Sequence, residues 1–137
     1  MNNFLLADIN NFSFYKKYTK PNLSLIDIDI NNIDSKQDFI KNIKHDDIKC
    51  SVYLMILNHE YEKLKKYSES SYIQTNLNRQ TPLMLACKIG DIKAVKILLN
   101  EVGNISLNHK TAIDYAYENG DKEIINLLSQ YENIYKN

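Results

Sequence analysis

The chain is poor in the residues from which phosphate loops and disulfide frameworks are built. Its 137 residues include three glycines, two prolines and two cysteines. With three glycines there is no glycine-rich phosphate loop and no dinucleotide fingerprint, and two cysteines do not make a disulfide scaffold. We interpret Cys50 and Cys87 as free thiols buried in helices. This cysteine usage favours a reducing, cytoplasmic location.

Net charge and long apolar runs are missing as well. Seventeen basic residues (Lys and Arg) balance seventeen acidic ones, so the formal net charge is zero. Proteins that bind nucleic acid or anionic lipid are usually basic. We therefore expect no membrane partner, and direct nucleic-acid contact only inside a ribonucleoprotein. The longest apolar run, Val52–Leu57, is far too short to span a bilayer, and residues 1–8 lack the basic start of a signal peptide.

The second half of the chain contains an internal repeat. Residues 81–99 are echoed thirty positions later by residues 111–129, and a period of about that size is typical of stacked-repeat solenoids. Thr81 is a favourable N-cap for a helix, and Pro82 follows at the first helical position. Gly90 ends that helix, and Asp91 caps a second one. The sequence therefore predicts a pair of short helices in each copy.

The motif Thr-Pro-Leu-Met-Leu-Ala, followed by Gly-Asp and then Val-Lys-Ile-Leu-Leu, resembles the ankyrin repeat. The resemblance implies a β-turn finger and two antiparallel helices in each repeat, with the repeats stacked side by side. The predicted fold is all-α, a short ankyrin-type helical solenoid with an irregular N-terminal extension. We divide the chain into an N-terminal extension (1–47) and an ankyrin-like region (48–137). The ankyrin-like region comprises a degenerate cap (about 48–75), a full repeat (76–105) and a C-terminal repeat (106–131).

Two departures from the family pattern affect the turns. The glycine of the finger turn is replaced by Arg79 and by His109. Each follows an asparagine, a residue that tolerates positive φ, so we still expect a turn. In the degenerate cap, residues 59–61 stand where Gly-Asp-Ile is expected. There, Leu64 and Tyr67 take the apolar positions of the second helix.

The first 47 residues match no motif, although they hold all four phenylalanines of the chain. The alternation of apolar and acidic residues over Leu25–Ile30 predicts a strand. Residues 35–44 have the start signal and apolar face of a helix. Two interpretations of the aromatic residues stay open at this point. They cover the open end of the stack, or they anchor a partner, since aromatic residues dominate interface hot spots.

No pattern in the chain supports catalysis or a metal site. Residues 59–63 begin like a zinc-protease helix but end in lysine where the second histidine ligand is required. A further group lacks the paired spacing of metal ligands: His45, Asp46, Asp47, Cys50 and His59. We predict a protein that is not an enzyme, with no cofactor, no metal and no small-molecule substrate.

The resemblance also implies where a partner binds, namely the finger tips and the exposed face of the first helices. Transferred by position, the predicted surface consists of Asn78, Arg79, Gln80, Lys88, Ile89, Asn108, His109, Lys110, Glu118 and Asn119. The corresponding function is that of an adaptor, a protein–protein interaction module that docks another protein. The alternative is a structural subunit of a large assembly, ribonucleoprotein or cytoskeletal, anchored by its N-terminal extension.

Overall fold

A computed structural model of the chain describes residues 18–21, 29–32, 52–76 and 78–136. Two short strands lie in this part of the chain, β1 (Tyr18–Pro21) and β2 (Tyr72–Thr75). Two 3-10 helices cover Ile30–Asn32 and Leu99–Glu101. The α-helices follow in pairs: α1 (Val52–Leu57) and α2 (Tyr61–Ser68), α3 (Pro82–Ile89) and α4 (Ile92–Ile97), α5 (Ala112–Asn119) and α6 (Lys122–Lys136).

The three helix pairs stack into a mostly helical solenoid, which confirms the predicted fold class. Successive first helices of the pairs contact each other, α1 with α3 and α3 with α5. Successive second helices do the same, α2 with α4 and α4 with α6, and form a second layer. One hydrophobic core runs through both layers, from Val52 in α1 to Leu128 in α6. Cys87 lies fully buried within that core, as predicted. Cys50 lies outside the described residues.

The middle pair begins and ends where its sequence predicts. The hydroxyl of Thr81 accepts a hydrogen bond from the backbone N–H of Met84 at 3.2 Å, which caps α3. Gly90 ends α3 with a φ of 79°, a left-handed conformation that costs a glycine little. The carboxylate of Asp91 then accepts from the backbone N–H of Ala94 at 3.2 Å and caps α4.

The first pair is the degenerate one, and it keeps the same plan with other residues. His59, at the position of Gly90, adopts a φ of 59°. Glu60 caps no helix through its side chain, but its carboxylate pairs with Lys63 at 2.8 Å. Leu64 and Tyr67 are buried, as their positions in the repeat predict. The fold therefore tolerates the loss of the Gly-Asp signal when the apolar positions of the second helix are kept.

A buried carboxylate links the first two pairs. One oxygen of Glu101 accepts from the hydroxyl of Tyr67 at 2.6 Å, and the other accepts from the backbone N–H of Leu83 at 3.0 Å. Leu83 belongs to the first turn of α3, whose positive end favours a negative charge. Glu101 is 1% exposed. It therefore serves as a second cap of α3, supplied from the chain that follows α4.

The N-terminal extension contributes to the fold at two places. Strand β1 pairs in parallel with β2, with Tyr18 opposite Tyr72 and Pro21 opposite Thr75. Ile30 is fully buried and belongs to the core.

The predicted strand at Leu25–Ile30 is wrong at its end, because Ile30 opens a 3-10 helix. The physical reason is local, since the carboxylate of Asp29 accepts from the N–H of Asn31 at 2.9 Å and favours a turn. Residues 25–28, the predicted helix at 35–44 and all four phenylalanines lie outside the described residues.

Candidate functional site

The first finger turn joins β2 to α3. Its backbone N–H at Arg79 donates to the carbonyl of Asn76 at 3.1 Å, and the Asn76 side chain accepts from the N–H groups of Asn78 and Gln80 at 2.9 and 3.0 Å. The expected turn forms, although the asparagine invoked for it, Asn78, does not take the positive φ. Arg79 itself takes it, with a φ of 57°, because Asn76 holds the backbone on both sides of that residue.

The second finger turn repeats this geometry before α5. His109 has a φ of 65°, and its N–H donates to the carbonyl of Ser106 at 3.0 Å. The N–H of Ser106 donates to the carbonyl of Lys110 at 2.9 Å and closes the turn. A backbone hydrogen bond of 2.8 Å from Leu107 to the carbonyl of Asn78 joins the two fingers. Arg79 and His109 therefore occupy equivalent positions on fingers that lie side by side.

Gln80 does not lie on the exposed surface, which corrects the expectation from its position in the repeat. It is fully buried. Its side-chain oxygen accepts from the N–H of Ile30 at 2.8 Å and from the amide of Asn76 at 2.6 Å. Its side-chain nitrogen donates to Asp29 at 2.8 Å and to the hydroxyl of Tyr115 at 3.2 Å. Residues 29–30 of the extension therefore cover this position.

The same short segment reaches the base of the second finger. The side-chain oxygen of Asn31 accepts from the hydroxyl of Tyr115 at 2.6 Å and from the ammonium of Lys110 at 3.2 Å. Burial raises the pKa of Tyr115, which keeps its hydroxyl a donor. Lys110 also lies over the Tyr115 ring, 5.3 Å from the centroid. The base of both fingers is thus closed by residues 29–31.

Three predicted surface residues form an ion-pair cluster between the second finger and the first helices. The carboxylate of Glu118 accepts from Lys110 at 2.6 Å and from Lys88 at 3.2 Å. Burial alone would raise the pKa of Glu118, but the two lysines outweigh it, so this pKa lies below its ordinary value. The hydrogen bond to Glu118 in turn raises the pKa of Lys110. The amide of Asn119 donates to the carbonyl of Lys88 at 3.2 Å. This cluster is engaged within the fold.

The other predicted residues differ in their exposure to solvent. Arg79, Asn108 and His109 are exposed, whereas Asn78 and Ile89 are half-buried. Two residues that sequence reasoning missed join them, since Ile105 and Leu107 are 55% and 56% exposed.

No signal in the sequence identifies these two residues. An Ile-Ser-Leu alternation ordinarily turns its apolar residues inward, whereas here Ser106 is the buried residue and Ile105 and Leu107 face outward.

Neither a metal site nor a membrane segment is found within residues 18–21, 29–32, 52–76 and 78–136. No group of three or more His, Cys, Asp or Glu residues in these ranges could hold a metal ion. In the same ranges, no helix combines the length and apolar character needed to cross a membrane. Of the doubtful ligand cluster, only His59 is described, and its imidazole lies 2.9 Å from the hydroxyl of Tyr61 and 3.5 Å from a carboxylate oxygen of Asp91.

Comparison with known proteins agrees with this geometry. Residues 43–137 match the family model of ankyrin repeats (3 copies). No curated protein and no solved structure matches the chain. The match covers all three helix pairs and more than half of the chain.

Proposed function

The chain belongs to the ankyrin repeat family, and from that premise we propose that it is a non-catalytic adaptor that docks another protein through its finger tips. Ankyrin repeats generally mediate protein–protein interaction. The proposal includes a protein or a large assembly as the partner, and no small-molecule substrate, cofactor or membrane. A cytoplasmic location is part of it, because a chain of 137 residues with two cysteines is not a disulfide scaffold and fits a reducing compartment.

The observation that carries the proposal is a row of exposed side chains at the tips of the two fingers. We call it the fingertip edge, and it consists of Arg79, Ile105, Leu107, Asn108 and His109. Both fingers contribute to it, and the Leu107–Asn78 backbone bond holds them together. Backbone hydrogen bonds within and between the two turns hold the finger backbone, which reduces the ordering cost of binding. It is narrower than the surface predicted from the sequence, because Gln80, Lys88 and Glu118 are engaged elsewhere.

The alternative of a structural subunit anchored by its N-terminal extension draws less support. Ile30 is part of the core, and Asp29 and Asn31 are bound to Gln80, Tyr115 and Lys110. Residues 29–31 are therefore used by the protein itself. An anchor in the extension would have to come from its other residues.

A capture experiment tests the proposed function. The full chain and its Arg79→Ala/His109→Ala variant are immobilised, and the proteins retained from a lysate of the native cells are compared by quantitative mass spectrometry. We expect the variant to lose the main retained protein, while its thermal unfolding stays unchanged. Lys96→Ala, at an exposed position of α4, is the control that should retain it. Equal retention by both alanine variants would contradict the proposal.

A further inference from the structure

Building on the proposed function, we infer that the fingertip edge binds an acidic segment of the partner that also carries one apolar anchor side chain. The inference concerns the chemistry of the partner, which the family does not specify. It depends on the charges of the edge, on its exposed apolar area and on the backbone conformation of two of its residues.

The edge carries one fixed positive charge, that of Arg79, beside the imidazole of His109. In the part of the chain that the structure describes, neither Arg79 nor His109 forms an ion pair. Lys110, next in the chain, is already paired with Glu118. The next acidic residue after His109 is Asp114, and its carboxylate accepts from the backbone N–H at the N-cap of α5 at 2.8 Å. A carboxylate on a partner therefore meets two free nitrogen donors, and an arginine binds a carboxylate in a bidentate manner.

The apolar part of the edge is unusual among the described residues. They contain three exposed large hydrophobic side chains, and two of these, Ile105 and Leu107, lie in the second finger. The third, Tyr117, is 61% exposed and belongs to α5. An apolar side chain of a partner would remove Ile105 and Leu107 from water, which is the dominant favourable term in association. A purely acidic segment would leave this area exposed.

The backbone conformation sets Arg79 and His109 at equivalent points of two neighbouring turns. Arg79 and His109 both adopt positive φ, where glycine is the residue without a steric cost. Two equivalent turns thus carry the same strain with a basic or imidazole side chain in each. Strain of this kind concentrates at functional sites. Among the residues that the structure describes, neither side chain forms an ion pair, so both are available to a partner.

Access favours the edge over the inner surface. Residues 29–31 already cover Gln80 and contact Lys110 and Tyr115 at the base of the fingers. A partner segment can reach the tips without displacing them. We therefore expect the segment to run across both tips, with its carboxylates towards Arg79 and His109 and its apolar residue on Leu107.

Peptide selection on the immobilised full chain tests this inference. Short random peptides displayed on phage are selected on the wild type, and the enriched peptides are sequenced and their affinities measured by fluorescence anisotropy. We expect enrichment of Asp and Glu around one aliphatic or aromatic residue. Arg79→Glu/His109→Glu should bind these peptides roughly tenfold more weakly. The attraction of Arg79 for an exposed carboxylate, a few tenths to about 1 kcal/mol, becomes a repulsion, and a second negative charge replaces the imidazole. Leu107→Ser should cost roughly tenfold as well.

Two matched controls separate the edge from general effects. Lys96→Glu makes a charge change of the same kind on α4, and Tyr117→Ser removes an equally exposed hydrophobic side chain from α5. Both should bind as the wild type does. Added salt should weaken the acidic peptides, because exposed charges are screened.

The results of this selection test two claims separately, that the partner segment is acidic and that the partner binds at the fingertip edge. Enriched peptides that are basic or uncharged would overturn the acidic partner, and the proposed function would stand if Leu107→Ser still weakened them. Peptides whose affinity is unchanged by all three fingertip substitutions would overturn both the acidic partner segment and the fingertip edge as the docking site. A selection without any enriched peptide would also overturn the inference, because it requires a linear segment.

Discussion

Replacing Gln80 with leucine removes a buried amide that joins the N-terminal residues to the repeats, and it keeps a side chain of similar size. The amide oxygen accepts from the N–H of Ile30 and from Asn76, and the amide nitrogen donates to Asp29 and Tyr115. Leucine can make none of these four bonds. The substitution therefore measures how strongly residues 29–31 are held at the base of the fingers.

The expected loss follows from these bonds. Leaving the buried N–H of Ile30 without its acceptor costs about 1–3 kcal/mol, and the bond from Asn76 contributes about 1 kcal/mol more. The bonds to Asp29 and Tyr115 add about 1 kcal/mol together, because Asp29 is only half-buried and water can replace its donor. Burial of the leucine side chain offsets about 1 kcal/mol. We expect the free energy of unfolding to fall by about 3 kcal/mol, a large part of the stability of a single domain.

Urea unfolding of the full chain, followed by circular dichroism, gives this difference. Hydrogen exchange of the Ile30 amide gives an independent local readout, since its protection should be lost in Gln80→Leu. Gln130→Leu makes the same change at an exposed position of α6 and should alter stability by less than about 0.5 kcal/mol. A Gln80→Leu protein as stable as the wild type, with Ile30 still protected, would refute the reasoning.

Three further predictions follow from single residues. Glu101→Gln should lower the free energy of unfolding by about 2 kcal/mol, because an amide has one acceptor oxygen for two buried donors, and an unchanged urea midpoint would contradict its capping role. Arg79→Gly should raise the free energy of unfolding by about 0.5 kcal/mol, since glycine relieves the positive φ but adds freedom to the unfolded chain. The same substitution should weaken partner binding. A lower free energy of unfolding would show that Arg79 is not strained. Glu118→Gln should cost about 0.5 kcal/mol near neutral pH in low salt. The pKa of Glu118 is lowered in the folded protein, so the ion-pair contribution is lost as pH falls through that pKa. The pKa of Lys110 is raised, so the contribution is also lost as pH rises through the pKa of Lys110. A cost of Glu118→Gln that is the same at every pH in thermal melts would exclude the ion pairs.

The helix pairs were predictable because their signals act within one turn of the chain. Thr81 and Asp91 cap the helices whose first amides lie three residues further on, and Gly90 ends a helix through its own φ. None of this requires knowledge of distant residues. The apolar positions Leu64 and Tyr67 of the degenerate pair were equally readable, since helical spacing places them on the face that packs.

The candidate site was predictable only in part, because its accessibility depends on distant residues. Gln80 is polar and sits at a position expected to be exposed, yet it is buried by residues fifty positions earlier in the chain. No local pattern announces that contact, just as none announces the parallel pairing of β1 with β2. Ile105 and Leu107 were missed for the opposite reason, since apolar residues are ordinarily assigned to a core.

The positive φ of the finger turns shows how a local rule was applied to the wrong residue. Asparagine tolerates that conformation better than arginine does, so the preceding Asn78 was the natural choice. The side chain of Asn76 accepts from two backbone N–H groups of the turn and thereby fixes the positive φ on Arg79. The residue that carries the strain is set by this hydrogen-bond pattern, which propensity alone does not show.

Site-specific photo-crosslinking tests the central claim most directly. A photoreactive phenylalanine analogue is placed at position 107 of the full chain in the native cells, and in separate proteins at positions 117 and 126. If the fingertip edge is the docking site, position 107 should form an adduct with one partner protein, attached within an acidic segment of that protein. The exposed positions 117 on α5 and 126 on α6 should form none. An adduct from position 117 or 126 but not from 107, or no adduct from any of the three, would contradict it.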